Sequence, residues 1–134
     1  MNCIFCDILA GKKSGHFIYE DENYIALLDK YPIDVGHALV MPRKHYEKIV
    51  DMSEDKVGEL FSKIPKIAKA ILKATNADAF SLGQNNGRAA KQIIPHVHVH
   101  IIPRYETKGT VWTKRGISTD EELSELAKQI RMCY

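Results

Sequence analysis

Histidine alternates with aliphatic residues in the stretch Pro95-His96-Val97-His98-Val99-His100-Ile101-Ile102-Pro103. Successive side chains of a β-strand point to opposite faces of the sheet. We therefore expect the three histidines to share one face, spaced about 6.5 to 7 Å apart, while the aliphatic residues between them enter the core. Such a row of imidazoles is a candidate for chemistry, whereas a single histidine on a strand is usually a surface residue or a satisfied core residue.

The same alternation also allows a metal-binding interpretation. Imidazole is a common zinc ligand, and alternate histidines on one strand can hold one ion. A hydrolytic metalloenzyme that uses His96, His98 and His100 as ligands is therefore one hypothesis. Against it, no carboxylate lies close in the sequence to serve as an obvious general base.

The remaining hydrophobic pattern predicts a sheet and two helices. Strands are predicted over 16–20, 23–29, 37–41, 78–82 and 93–102, the first two as a hairpin. Helical spacing begins after Ser53 and continues to Leu72, with a kink or break expected near Pro65. A shorter helix is predicted over about 120–132, after a capping box at Ser118 or Thr119. Because the strand connections are too short for crossovers, we expect an α+β fold with an antiparallel sheet of about five strands, one long helix and one short helix.

Length and composition restrict the class of protein. The 134 residues predict a single domain, 1–134, without an internal linker. A formal charge of +2 argues against nucleic acid or an anionic membrane as partner, so any anionic ligand must be small. No apolar run approaches the roughly 20 residues that span a bilayer. The N-terminal sequence lacks a basic segment followed by an apolar run, so we expect a cytoplasmic protein.

The cysteines do not form the pattern of a disulfide-stabilised protein. There are three of them, and Cys3 and Cys6 form a CxxC pair. In a reducing compartment such a pair is more typical of a metal site or a redox site than of a structural disulfide. A thioredoxin-like motif normally opens a helix after a strand, whereas this pair stands at the start of the sequence, which favours a metal. Cys133 fits no motif.

The run from His96 to Ile102 resembles the His-φ-His-φ-His-φ-φ signature of the histidine triad family of nucleotide hydrolases and transferases, where φ is apolar. A second block resembles the family's Gly-His-x-Leu-Val-x-Pro-(Lys or Arg)-x-His motif and reads Gly36-His37-Ala38-Leu39-Val40-Met41-Pro42-Arg43-Lys44-His45. Asn85, Gly87 and Gln92 resemble residues of its phosphate loop. The resemblance covers about residues 3–105 and is to the small microbial zinc-containing members of the nucleoside phosphoramidase branch.

The resemblance implies covalent catalysis on the central histidine. His98 would attack the α-phosphorus of a nucleotide and form a nucleotidyl-histidine that water then hydrolyses. His100 would contact the phosphate and stabilise charge on its oxygens, and His37 would face the phosphate site and support the triad. The implied substrates are nucleoside phosphoramidates or related nucleoside monophosphate derivatives. A neighbouring branch of the family, which cleaves dinucleoside polyphosphates, is an alternative.

The resemblance also implies a purine nucleotide site and a homodimer with the long helix near its two-fold axis. Asp29 occupies the position of an acidic residue that binds the ribose hydroxyls, and a carboxylate can accept hydrogen bonds from both. Apolar residues would surround the base, and polar ones would surround the phosphate. The residues expected to bind nucleotide are Phe5, Ile8, Leu27, Asp29, Asn85, Lys91, Gln92, Ile93, His98 and His100.

Some microbial relatives bind a structural zinc ion through a CxxC pair, the last histidine of the Gly-His block and the first triad histidine. This sequence has all four residues, namely Cys3, Cys6, His45 and His96. Two thiolates and two imidazoles complete a tetrahedral site without an open position, which is typical of a structural ion. The resemblance therefore implies structural zinc and no catalytic metal.

The sequence departs from the family pattern in three places. Ile93 stands where relatives often have Ser or Thr, proposed to assist the leaving group, and its side chain can neither donate nor accept a proton. Lys91 replaces a usual Gly, and Lys13-Ser14 replaces a common Ile-Pro near the base pocket. A second function class therefore stays open, namely a nucleotide-binding regulatory protein with little turnover.

Overall fold

The computed structural model describes residues 3–134 and has the α+β fold that the sequence predicts. Within these residues, five strands form one antiparallel sheet in the order β1-β2-β3-β5-β4. The strands are β1 (Phe17–Glu20), β2 (Tyr24–Leu28), β3 (Ala38–Pro42), β4 (Ala79–Gly83) and β5 (Val99–Arg104). The helices of the same part of the chain are α1 (Ile4–Leu9), α2 (Glu54–Ser62), α3 (Ile64–Thr75) and α4 (Asp120–Arg131).

Strands β2 and β3 are buried on both faces of the sheet, which explains why they are continuously apolar. Alternate residues of β2 and β3 belong to two different hydrophobic clusters. One cluster lies under α2, α3 and α4 and includes Val40 and Ile101. The other lies under α1 and includes Phe5 and Leu39. Because His100 pairs directly with Leu39 across β5 and β3, its side chain lies on the α1 face of the sheet.

The predicted long helix is interrupted at one residue, as the sequence indicates. Lys63 separates α2 from α3, and Pro65 lies in the first turn of α3, where its missing N–H needs no partner. The Ser53 hydroxyl accepts a hydrogen bond from the Lys56 N–H and caps α2. The break near Pro65 and the Ser53 cap are both confirmed.

The strand predicted over 93–102 is shorter than expected and begins only at Val99. The Val97 N–H donates to the Tyr46 carbonyl at 2.7 Å, and the His96 N–H donates to the Ile94 carbonyl at 2.8 Å. This part of the backbone therefore pairs outside β3, and Pro95 has no N–H to offer. The side chains still alternate, since Val97 lies in the helix-covered cluster and the His96 ring packs against Phe5 on the other face.

The turn into β3 depends on a glycine. Gly36 has a φ of +92°, and a Cβ at this position would lie 2.9 Å from Thr75 Cγ2 and 3.0 Å from Pro103 Cγ. Neither the backbone conformation nor the space suits a larger residue. Gly36 thereby fixes the backbone directly before His37, whose carbonyl accepts the Asp29 N–H at 2.9 Å.

The C-terminal segment returns to the turn that follows β2. The Gly116 N–H donates to the Pro32 carbonyl at 2.8 Å and the Ser118 N–H to the Lys30 carbonyl at 3.1 Å. Helix α4 follows, and Thr119 forms the predicted capping box with Glu122. Among residues 3–134, no helix has the length and apolar character that a membrane span requires.

Candidate active site and metal cluster

The alternating histidines divide between two sites. His98 and His100 lie side by side with ring centroids 5.0 Å apart, and the His37 ring lies 5.1 Å from His100. His96 instead directs Nδ1 towards the cysteines of the N-terminus, 3.5 Å from Cys3 Sγ. Because the His96 ring faces away from the site formed by His98 and His100, the three histidines do not converge on one ion. This arrangement argues against the metalloenzyme hypothesis.

A backbone carbonyl fixes the protonation of His98. Its Nδ1 lies 2.6 Å from the His96 carbonyl oxygen. A carbonyl can only accept a hydrogen bond, so Nδ1 carries the proton of the neutral ring and Nε2 keeps its lone pair. The Phe5 ring packs edge-on against the imidazole with centroids 5.1 Å apart and restricts its orientation.

A chain of hydrogen bonds gives His100 the opposite tautomer. The Ile33 N–H donates to His37 Nδ1 at 2.9 Å, so the proton of neutral His37 lies on Nε2. His37 Nε2 lies 2.9 Å from His100 Nδ1, which must therefore accept. The proton of neutral His100 is left on Nε2. The site thus presents a lone pair on His98 beside an N–H donor on His100.

Burial keeps these rings neutral at physiological pH. Desolvation, together with the smaller effect of the nearby Arg115 and His98, lowers the pKa of His37 and of His100 to about 3. Burial likewise places the pKa of His98 below its usual range. The tautomers derived from the hydrogen bonds therefore describe the site at pH 7.

Asp29 lies beside the histidines with both carboxylate oxygens engaged. Oδ1 accepts the Tyr31 N–H at 2.9 Å, Oδ2 accepts from Arg115 Nη1 at 2.7 Å, and His37 Nε2 lies 3.7 Å from Oδ2. Arg115 was not among the predicted site residues, since it is 86 residues from Asp29 in a segment without a recognisable motif. No pattern in the sequence could have identified it.

The loop from Gly83 to Ile93 is held in shape by a buried glutamine. Gln92 Oε1 accepts the Gly87 N–H at 2.6 Å, and its amide nitrogen donates to the Glu47 carbonyl. Lys91 adopts a left-handed φ of 65°, a conformation that usually favours glycine. Asn85, Lys91 and Ile93 are exposed, Ile93 to 89%. That Asn85, Lys91, Gln92 and Ile93 contact a phosphate remains a prediction.

The loop contains a residue that sequence analysis overlooked. Asn86 Oδ1 accepts the Ile49 N–H at 2.7 Å, and the Asn86 side chain also bonds Gln84. Its position beside Asn85 was the only available signal. The residues predicted to surround the base share one cluster under α1, on the same face of the sheet as His100, made of Phe5, Leu27 and the packed side chain of Ile8.

The four predicted metal ligands come together as a compact cluster. The ligand atoms of Cys3, Cys6, His45 and His96 all lie within 4.8 Å of one another. Cys6 Sγ is 3.3 Å from His45 Nδ1, and the two imidazole Nδ1 atoms are 3.2 Å apart. Tetrahedral zinc with bonds of about 2.0 to 2.3 Å requires ligand separations of about 3.3 to 3.8 Å. The spacing of these atoms therefore fits a tetrahedral ion.

The surroundings of the cluster also fit a cation. His96 Nε2 donates to the Pro42 carbonyl at 2.8 Å, which leaves the lone pair of Nδ1 directed at the cluster. Burial and the neighbouring Cys3 raise the pKa of the Cys6 thiol to about 11. Without a nearby cation, the cysteines of the cluster therefore favour the neutral thiol form. A bound cation would favour the thiolates. Cys133 packs against the separate cluster under α4.

Known proteins are similar to this chain in both sequence and fold. The HIT domain family matches residues 10–107 of the chain. The chain is 38% identical over 135 residues to adenylylsulfatase HINT3 of Arabidopsis thaliana, an alignment that covers 97% of this chain and 68% of the relative. It is 35% identical to the adenosine 5′-monophosphoramidase hnt1 of Schizosaccharomyces pombe, with 97% and 96% covered. The crystal structure of a zinc-bound histidine triad family protein from Mycobacterium smegmatis superposes with a TM-score of 0.88 at 30% identity, covering 99% of this chain and 93% of that one.

Proposed function

This chain belongs to the family of HIT-domain proteins, and from that membership we propose that it is a nucleotide hydrolase that attacks the α-phosphate of nucleoside phosphoramidates or related nucleoside monophosphate derivatives. The names of two relatives support this class of substrate, since one denotes hydrolysis of an adenylyl sulfate and the other hydrolysis of an adenosine phosphoramidate. In both compounds a leaving group is attached to an adenosine 5′-phosphate.

The observation that carries the proposal is the pair of opposite tautomers on adjacent histidines. His98 Nε2 holds a lone pair because its Nδ1 donates to the His96 carbonyl. That nitrogen attacks the α-phosphorus, and the bond from phosphorus to the leaving group breaks as the N–P bond forms. Water then attacks the nucleotidyl-histidine and releases the nucleoside monophosphate.

His100 supplies the complementary group. Its Nε2–H is fixed by the hydrogen bonds from Ile33 through His37, so it donates to a phosphoryl oxygen without rearrangement. Charge accumulates on the phosphoryl oxygens in the transition state, and a preorganised donor in a buried site stabilises that charge. The loop held by Gln92 would contribute backbone amides.

An amine leaving group needs a proton, and the exposed side chain of Ile93 cannot supply one. This observation favours a second candidate function, a nucleotide-binding regulatory protein with little turnover. In the hydrolase, the leaving amine or sulfate would take its proton from solvent or carry none. The two functions differ in whether His98 becomes nucleotidylated.

We further propose that the cluster of Cys3, Cys6, His45 and His96 holds a structural zinc ion. The ion would supply a fixed cross-link and no step of the reaction. The zinc-bound relative from Mycobacterium smegmatis supports this choice of metal. His96 would then connect the metal cluster to His98 through its carbonyl, which orients the nucleophile.

A homodimer and a cytoplasmic location complete the proposal. Strand β4 forms one edge of the sheet, and its Phe80 and Leu82 side chains are 39% and 43% exposed. Phe61 of α2 is a further exposed large apolar side chain, at 37%. A second copy of the chain would cover such an edge, because exposed edges and apolar patches favour association.

Intact-protein mass spectrometry tests the hydrolase. The protein is mixed with adenosine 5′-phosphoramidate, quenched rapidly and compared with His98→Asn. We expect an adenylyl adduct on the wild-type protein that localises to His98 and is missing in the variant. If the wild-type protein binds nucleotide but forms no adduct and releases no AMP, the regulatory function replaces the hydrolase.

A further inference from the structure

We propose that Arg115 is a positioning residue for ribose recognition, which holds the Asp29 carboxylate in the orientation that accepts the two ribose hydroxyls. The inference rests on the proposed nucleotide site and adds to it a residue from the C-terminal segment. Neither the HIT-domain match, which ends at residue 107, nor the motifs of the sequence include Arg115.

The guanidinium of Arg115 binds two groups of the turn after β2. Nη1 donates to Asp29 Oδ2 at 2.7 Å and to the Tyr31 carbonyl at 2.9 Å. The Asp29 side chain is 13% exposed, so the ion pair lies at the edge of the buried site and not on the open surface. A charge-assisted hydrogen bond of this length is stronger than a neutral one. Together with the Tyr31 N–H on Oδ1, it restrains both oxygens of the carboxylate.

The backbone around Arg115 is anchored to the same turn. Gly116 and Ser118 donate to the carbonyls of Pro32 and Lys30, which gives the segment the spacing of a short antiparallel pairing. The side chain of Arg115 therefore starts from a fixed point beside Asp29. A cation on a free loop would lose more entropy on pairing with the carboxylate than this one does.

The ion pair leaves two acceptor positions of the Asp29 carboxylate free for ribose. A carboxylate offers about four lone-pair positions. Tyr31 N–H uses one on Oδ1 and Arg115 uses one on Oδ2, so one position on each oxygen can accept a ribose hydroxyl. The 2′ and 3′ hydroxyls of ribose are two adjacent donors and match this pair of acceptors.

Arg115 also keeps the Asp29 carboxylate from accepting a hydrogen bond from His37, the middle member of the relay of hydrogen bonds that runs from Ile33 through His37 to His100. His37 Nε2 is 3.7 Å from Asp29 Oδ2 but only 2.9 Å from His100 Nδ1. While Arg115 occupies Oδ2, the Nε2–H of His37 continues to donate to His100 Nδ1. Without the guanidinium, the carboxylate can rotate towards His37 and lose the orientation that ribose requires.

The test compares two substrates that differ only in the ribose. Steady-state kinetics are measured with adenosine 5′-phosphoramidate and with its 2′,3′-dideoxy analogue for the wild-type protein, Arg115→Gln, Arg115→Lys, Asp29→Asn and the double variant Arg115→Gln/Asp29→Asn. Lys114→Gln is the matched control, since Lys114 is an exposed cation on the same segment. Binding of AMP and 2′,3′-dideoxy-AMP is titrated in parallel, so that ribose recognition is measured even without turnover.

We expect Arg115→Gln to raise KM for the ribonucleotide roughly tenfold, the scale of one lost charge-assisted hydrogen bond at a partly buried pair. Its kcat should stay within about threefold, its KM for the dideoxy analogue should change little, and Arg115→Lys should restore part of the loss. The double variant of Arg115 and Asp29 should discriminate no worse than Asp29→Asn alone. Lys114→Gln should match the wild-type protein.

Three results would overturn the inference. An equal loss with both analogues would indicate a structural role, a fall in kcat alone would indicate a role in the relay, and tighter nucleotide binding by Arg115→Gln would mean that the guanidinium obstructs the site. If the wild-type protein binds AMP better than dideoxy-AMP through Arg115 but hydrolyses neither substrate, the proposed hydrolase fails and the role of Arg115 stands. If it binds neither nucleotide, both fail.

Discussion

At the scale of single residues, the site depends on where three imidazole protons lie. His98 and His100 are alike in sequence context, yet one donates through Nδ1 to a carbonyl and the other accepts at Nδ1 from His37. The alternation of the sequence predicted their proximity. It could not predict their tautomers, because these depend on the Ile33 N–H and the His96 carbonyl, which only the fold brings into contact.

The tautomer of His100 leads to a kinetic prediction. We expect His100→Asn to lower kcat for adenosine 5′-phosphoramidate by about 10² to 10³, because it removes a preorganised donor to the phosphoryl oxygens. AMP binding should change only a few-fold, since the donor acts mainly on charge that develops in the transition state. Steady-state kinetics and an AMP titration measure the two effects. A near-normal kcat would contradict the role assigned to His100.

The buried histidine pair also predicts a pH dependence of stability. The pKa of His37 and of His100 is about 3 in the folded protein, against about 6.5 in an unfolded chain. Between these values the unfolded state binds more protons, so the free energy of unfolding should decrease as pH falls below about 6.5. Each ring contributes up to about 1.4 kcal/mol per pH unit, and the full stability is present above that range.

The variant His37→Gln isolates this effect. It removes one buried titrating ring, so its stability should fall less steeply than that of the wild-type protein when urea unfolding is compared at about pH 7, 6 and 5. The metal cluster and the carboxylates distant from residue 37 titrate equally in both proteins and cancel in the difference, so the comparison reports on His37 and its contacts with His100 and Asp29. Parallel stability curves would show that His37 does not resist protonation in the folded state.

At the scale of elements, the sequence predicted the parts whose pattern is local. The β1–β2 hairpin, the break near Pro65 and the Thr119 cap follow from hydrophobic spacing and from residues with fixed local preferences. Helix α1 was missed because six residues around a CxxC pair carry no helical period and are stabilised by tertiary contacts. The late start of β5 was missed for the same reason, since Val97 pairs with Tyr46 and not with β3.

Substitution by alanine should have opposite effects at two glycines, one within a helix and one in the turn before a strand. Gly58 lies within α2 and nothing approaches a Cβ there, so Gly58→Ala should stabilise the protein by about 0.5 to 1 kcal/mol. Gly36 precedes β3 with a positive φ and close contacts to Thr75 and Pro103, so Gly36→Ala should cost about 2 kcal/mol or more. Urea unfolding at pH 7 measures both. Similar effects of the two substitutions would mean that the turn before β3 can relax.

At the scale of the whole molecule, the two sites share one segment of chain. The metal cluster joins α1, the residue three positions after β3 and the segment before β5. Phe5 of α1 packs on both His96 and His98, so the position of α1 affects the orientation of the nucleophile. A six-residue helix is too short to be stable by itself. A structural ion at its start would therefore order one wall of the active site.

This coupling predicts what loss of zinc does. We expect about one zinc per chain by elemental analysis of the purified protein, and near-complete loss of the metal in Cys6→Ser, because a tetrahedral site with a missing thiolate binds far more weakly. Cys6→Ser should unfold at a lower temperature than Cys133→Ser, the matched control outside the cluster, and amide hydrogen exchange should increase in α1 while the β2–β3 pairing stays protected. Catalysis should weaken without vanishing, since the relay from His37 to His100 lies outside the cluster. Indistinguishable metal content and stability in the two cysteine variants would exclude the zinc site.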